Sequence, residues 1–136
     1  MTTSFRRLAG ALALSGALAA AAALPGCMSG RFADTLQGVD KAALPHRSFS
    51  MTAERYDFDP EELHVEAGTL VTLTITSIDD VHGFELPDWD IDVRLDPDTP
   101  VTVEFFAPEP GTYEFHCSHF CGMGHFGMNG RIVVDP

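Results

Sequence analysis

The sequence predicts an all-β sandwich made of short strands, and three observations carry that prediction. The run Leu70-Val-Thr-Leu-Thr-Ile-Thr76 alternates, setting Val71, Leu73 and Ile75 on one face and threonines on the other. Turn residues then recur at short intervals, at Asp79-Asp80, Pro87-Asp88, Asp96-Pro97-Asp98, Pro108-Glu-Pro-Gly111 and Asn129-Gly130. No segment after the N-terminal stretch repeats its apolar residues at helical spacing. Short strands at this spacing imply an all-β sandwich.

Taken in order, residues 1–27 read as a targeting segment. Arg6 and Arg7 precede an uncharged, alanine-rich stretch from Leu8 to Leu24 that ends at Pro25-Gly26-Cys27. This stretch is short and weakly apolar for a membrane span. Leu24, Gly26 and Cys27 resemble a bacterial lipobox, with Cys27 as the lipidation site. A plain signal peptide and an uncleaved anchor remain open. Each version exports the domain to the periplasmic side of the cell envelope and holds it at the membrane or releases it there. Residues 28–47 lack a period and read as a linker, and the domain proper is expected over 48–136.

Within it, Phe49 and Met51 alternate with polar neighbours, and Tyr56, Phe58 and Pro60 lead to Leu63 and Val65. After Gly68 comes the alternating strand described above. Further strands are expected near 82–86, 90–95, 100–106, 111–116 and 130–134.

The formal charge is −12. Loss of residues 1–26 would leave six basic against twenty acidic residues, or −14. Such a surface repels nucleic acid and steers basic protein partners toward it, besides keeping an exported domain soluble.

The chemistry concentrates in Cys117-Ser-His-Phe-Cys121-Gly-Met-Gly-His125-Phe-Gly-Met128. Soft thiolate and thioether donors favour copper, and imidazole suits copper or zinc. In an oxidising compartment Cys117 and Cys121 could instead form a disulfide, but that leaves His125 and Met128 without a role. His82 lies thirty-five residues before Cys117, just after the strongest strand. In a sandwich, the end of one strand and a loop between the last two can meet at one pole. The plain alternative for His82 is a solvent-facing turn histidine.

These residues carry a resemblance. Tyr56-x-Phe58-x-Pro60-x-x-Leu63-x-Val65-x-x-Gly68 looks like the opening of a cupredoxin, a Greek-key β-sandwich. His82-Gly83-Phe84, the gap and Cys-x3-Cys-Gly-x-x-His-x-x-Met resemble the Cu-A domain of cytochrome oxidase subunit II, and Asn129-Gly130-Arg131-Ile-Val-Val-Asp-Pro is similar to the ending of the nitrous-oxide reductase Cu-A domain. The resemblance implies two copper ions bridged by Cys117 and Cys121. It gives one of them His82 and the other His125, with Met128 and the backbone carbonyl of His119 as weak axial ligands. Bridging thiolates would share one unpaired electron between the metals, so little rearrangement accompanies transfer. The implied partners are a c-type cytochrome or other redox protein, and subunit I of a haem-copper oxidase; the domain alone catalyses nothing. His119 departs from the Glu or Gln common in oxidase subunits, which leaves the carbonyl intact but removes a carboxylate that helps hold magnesium at the subunit I junction.

Other residues read as packing: Met123 as a thioether filler in the loop, His116 and His64 as ordinary strand residues, and Trp89, Phe84, Phe120 and Phe126 as core or loop aromatics. One of these rings, with Trp89 and Phe84 foremost, is expected to rim the copper end and pass the electron in. Two other function classes use the same donors. A copper chaperone or storage protein would capture Cu(I), and a structural zinc site would take the N2S2 set, leaving Met128 superfluous.

Overall fold

The computed structural model describes residues 30–136. Nine strands form two facing sheets: β1 (His46–Glu54), β2 (Asp57–Asp59), β3 (Glu62–Glu66), β4 (Thr69–Ser77), β5 (His82–Leu86), β6 (Ile91–Leu95), β7 (Val101–Ala107), β8 (Gly111–His116) and β9 (Asn129–Asp135). One sheet runs β2-β1-β4-β7 and the other β3-β9-β8-β5-β6. β1 pairs with β4, and β3 with β9, in parallel; the remaining pairs are antiparallel. The all-β sandwich expected from the sequence is the fold observed, and the strand boundaries fall within a residue or two of those predicted. Among the described residues, no helix is long and apolar enough to cross a membrane.

Alternation in β4 does what its pattern dictates. Val71, Leu73 and Ile75 are fully buried, while Thr74 on the outer face meets Thr102 of β7 at 3.0 Å, Oγ1 to Oγ1. The centre of the core is aromatic. Phe58, Phe84 and Phe115 meet with centroids 5.1–6.1 Å apart, one pair tilted and two edge-on, the geometries that ring quadrupoles favour. A second cluster joins Trp89, Tyr113 and Phe105, and Trp89 Nε1–H donates to the Phe106 carbonyl.

Phe32 belongs to that second cluster. It lies in the segment read from sequence as a linker, yet it is only 4% exposed and sits 4.9 Å from the Trp89 ring and 5.5 Å from that of Tyr113. Its N–H bonds the Asp88 carbonyl, and Arg31 caps its ring at 4.9 Å while pairing with Glu109. A single aromatic in an otherwise aperiodic stretch gives no pattern to detect, which is why the sequence alone places the packed boundary later.

On the outer face, His64 of β3 lies 2.7 Å from Glu62 and 3.2 Å from Asp135 of β9, and Arg131 also pairs with Glu62. Hydrogen bonds to Glu62 and then Asp135 raise the His64 pKa above its ordinary 6.5, and Glu62 is correspondingly lowered.

Two outcomes follow. Phe32→Ala should destabilise the chain by about 3 kcal/mol in urea unfolding, the cost of emptying an aromatic site; a change within about 0.5 kcal/mol, usual for exposed positions, would mean that the segment is detached. In an NMR titration His64 should change charge above pH 6.5, and Glu62→Gln should move its midpoint downward. Because the folded pKa is raised, the stabilisation from this pair is complete below pH 6.5 and is lost as pH rises through the folded midpoint.

Candidate metal centre

Three strand ends meet at one pole of the sandwich. His82 opens β5, Cys117 follows the last residue of β8, and Met128 precedes the first of β9. β8 lies between β9 and β5, with His116 opposite Glu85, so the loop 117–128 hangs directly beside His82. The Cys117 N–H donates to the Met128 carbonyl at 3.0 Å, closing the loop at its neck.

Inside the neck, the chain coils through a 3₁₀ turn at His125–Gly127. Its bonds run from His125 N–H to Gly122 O and from Met128 N–H to His125 O, both 3.1 Å. Residues three apart in such a turn share a side. His125 Nδ1 and Met128 Sδ therefore both approach Cys121 Sγ, each at 3.8 Å. On the other thiol, His82 Nδ1 lies 3.9 Å and the His119 carbonyl oxygen 3.1 Å from Cys117 Sγ. The two sulfurs are 3.8 Å apart. All six groups that the sequence singles out thus converge.

Their environment is dry. Cys117, Cys121 and Met128 are buried, and His82 is 0% exposed; His125 is partly exposed beside a cleft lined by Glu114, His116, Phe126 and Asn129. The solvent-facing alternative for His82 does not hold: its ring is inside, and Nε2 faces Asp79 Oδ1 at 2.8 Å. The carboxylate accepts, so Nε2 carries the hydrogen and Nδ1 is left as a lone-pair donor toward Cys117. Burial alone would push Asp79 upward, but the bonds from His82 and from the Arg55 N–H outweigh it and hold the carboxyl below its ordinary value. Burial pushes the Cys121 thiol up to about 11, and the neighbouring Cys117 thiol adds to the rise.

Gly83 follows from this geometry. Its N–H points to Cys117 Sγ at 3.5 Å, and a Cβ there would meet Ser118 Oγ and lie 2.7 Å from the His119 nitrogen. β5 can approach the loop only without a side chain at that position.

Donor number and placement bear on what the site can hold. A disulfide needs sulfurs about 2.05 Å apart, so this pair is a dithiol. Two metal–thiolate bonds of about 2.3 Å span such a gap whether one ion or two lie between the sulfurs. Among the His, Cys and acidic side chains, the set whose ligand atoms lie mutually within 4.8 Å is His82, Cys117 and Cys121. His125 approaches Cys121, and a thioether and a carbonyl stand beside the sulfurs as well. Two thiols flanked by two imidazoles, a thioether and a carbonyl fit copper better than a single structural zinc.

Some sequence-predicted roles do not match the observed positions. Trp89 is 5% exposed within the Phe32 cluster, and Phe84 is fully buried against Phe58 and Phe115, so neither rims the metal pole. Met123, expected to pack, is 92% exposed. The rim instead belongs to Phe120 and Phe126, 64% and 89% exposed, whose ring centroids lie 5.5 and 5.2 Å from that of His125. His116 and His64 are strand residues, paired with Glu85 and Glu62 respectively. Cys27 lies outside the described residues. Sequence reasoning missed Asp79 as the partner of His82, although a carboxylate three residues before a candidate ligand was a usable signal.

Comparison with known proteins agrees with this geometry. Residues 16–134 match the model of the cupredoxin-like domain. Cytochrome c oxidase subunit 2 of Thermus thermophilus is 32% identical over 105 residues, covering 77% of this chain and 78% of that subunit. Nitrous-oxide reductase of Ralstonia nicotianae is 33% identical over 89 residues, which is 62% of this chain but only 14% of the reductase. Among solved structures, a chain of a heme-copper terminal oxidase dimer superposes with a TM-score of 0.64 at 29% identity, covering 71% of this chain and 69% of that one.

Asp79→Asn should weaken copper binding by roughly 10-fold in competition with a chelator, since the carboxylate fixes the tautomer and basicity of His82. Unchanged affinity would mean that Asp79 does not orient the ring.

Proposed function

The chain belongs to the cupredoxin-like domain family, and on that premise we propose that it is an exported electron-transfer protein with a binuclear Cu-A centre. The observation that carries this reading is the second thiol: Cys121 lies 3.8 Å from Cys117, with a different imidazole nitrogen within 3.9 Å of each sulfur. His82, Cys117, Cys121, His125, Met128 and the His119 carbonyl would hold the two ions. When bound, the copper pair supplies a one-electron couple spread over two metals and two sulfurs.

The chain's own residues do the rest. The sandwich fixes β5 and β8, so the donors stand near their places before metal arrives. Burial of Cys117, Cys121 and Met128 keeps water from competing for the metals. Asp79 holds the His82 proton on Nε2 and leaves Nδ1 free to coordinate. Among the imidazoles facing the thiols, the one with its edge toward solvent is His125, framed by the exposed rings of Phe120 and Phe126. That apolar rim is where a partner's redox group would approach, by the shortest route to a ligand.

The donor of electrons would be a c-type cytochrome or similar carrier, and the acceptor subunit I of a haem-copper oxidase or another terminal reductase. Likeness to oxidase subunits 2 supports a periplasmic location. Attachment to the membrane, through lipid on Cys27 or an uncleaved anchor, belongs to the same proposal.

Elemental analysis of the copper-loaded chain should find two coppers, and a reduced c-type cytochrome should deliver one electron per pair. Cys121→Ser should abolish the second copper, while Met128→Leu should keep both and shift the midpoint potential. One copper per chain in the unsubstituted protein, or two coppers that no cytochrome reduces, would refute the reading.

A further inference from the structure

Arg55 is bonded to both halves of the donor set, although it ligates nothing and lies in the turn between β1 and β2. Its main-chain N–H donates to Asp79 Oδ2 at 2.9 Å, and the other oxygen of that carboxylate holds His82. Its Nε donates to the carbonyl of Cys121 at 3.2 Å, and its Nη2 pairs with Asp80. One residue therefore contacts the segment that presents His82 and the loop that presents the thiols, which are otherwise far apart in sequence. The next residue extends the contact. The partly exposed ring of Tyr56 lies against the backbone of the loop so closely that a Cβ on Gly124 would run into it.

We infer that Arg55 is a positioning residue of the metal centre, a clamp from the β1–β2 turn that holds the Asp79–His82 segment and the Cys121 carbonyl in a fixed relation. The inference rests on the copper reading for the identity of the metal; the clamp itself is a matter of geometry. A planar guanidinium suits the task, because it donates in two directions in one plane, to a carbonyl and to a carboxylate. A lysine ammonium is a point charge on a flexible stem and cannot reproduce that fork. The clamp also sets a fixed cation beside the thiols, so its loss favours the more positively charged, oxidised centre and lowers the midpoint potential.

The full chain, Arg55→Gln, Arg55→Lys and Asp80→Asn are loaded with copper, and three quantities are read: release of copper to a Cu(I) chelator after reduction, the midpoint potential, and the thermal midpoint of the metal-free chain. Arg55→Gln should release copper roughly 10-fold faster, the usual scale for partners that orient ligands, with a lowered potential. Arg55→Lys, which keeps the charge but not the fork, should restore the potential in part and leave release as fast as in Arg55→Gln. Asp80→Asn, which leaves Arg55 in place and removes one end of the fork, should speed release by a smaller factor and keeps the test available if Arg55→Gln does not fold. A merely structural role predicts the opposite pattern: a lower thermal midpoint, with release and potential within about twofold of the unsubstituted chain. That result, or full rescue by lysine, overturns the inference and leaves the copper reading standing. Failure of the unsubstituted chain to take up copper overturns both.

Discussion

The bond from Cys117 N–H to Met128 O is the constraint on which the metal pole depends. It joins the end of β8 to the start of β9, so twelve residues must close on themselves between neighbouring strands. The loop so closed folds back over the pole, with Phe120, Met123 and Phe126 facing solvent. It coils, and the coil turns His125 and Met128 toward Cys121. The pairing of β5 with β8 then supplies His82 from the side, and Gly83 permits the approach. None of the donors is positioned by its own local propensity. His82, Cys117 and Met128 are placed by strand ends, Cys121, His125 and the His119 carbonyl by the loop those ends close, and the strands are held by a core of interlocked aromatic rings.

Burying such a pole has an electrostatic consequence. Burial, with the Cys117 thiol beside it, pushes Cys121 up to about 11. A metal bound there must displace that proton, so metal uptake releases protons. Around the thiols the charged groups are partnered: Asp79 accepts from the neutral His82 ring and from the Arg55 N–H, and the Arg55 guanidinium pairs with Asp80 and also donates to the Cys121 carbonyl.

The sequence made the fold and the donors legible for different reasons. Strands such as β4 announce themselves because alternation is local and repeats every second residue. The donors were legible because Cys117, Cys121, His125 and Met128 share one short segment, and His82 stands at a telling distance. What supports them was not. Arg55 lies sixty-six residues from Cys121, and no spacing rule connects a turn arginine to a distant carbonyl. Phe32 is a single aromatic in an aperiodic stretch, yet it fills a core site. The aromatic rim misled for a related reason. Phe84 and Trp89 look as exposed in composition as Phe120 and Phe126, and only the sandwich determines which rings turn inward.

The central claim is that two metals, not one, lie between Cys117 and Cys121. Low-temperature electron paramagnetic resonance of the copper-loaded, oxidised chain tests it most directly. The account predicts hyperfine structure shared equally over two copper nuclei, from one unpaired electron per chain. A four-line pattern from a single copper nucleus would contradict it.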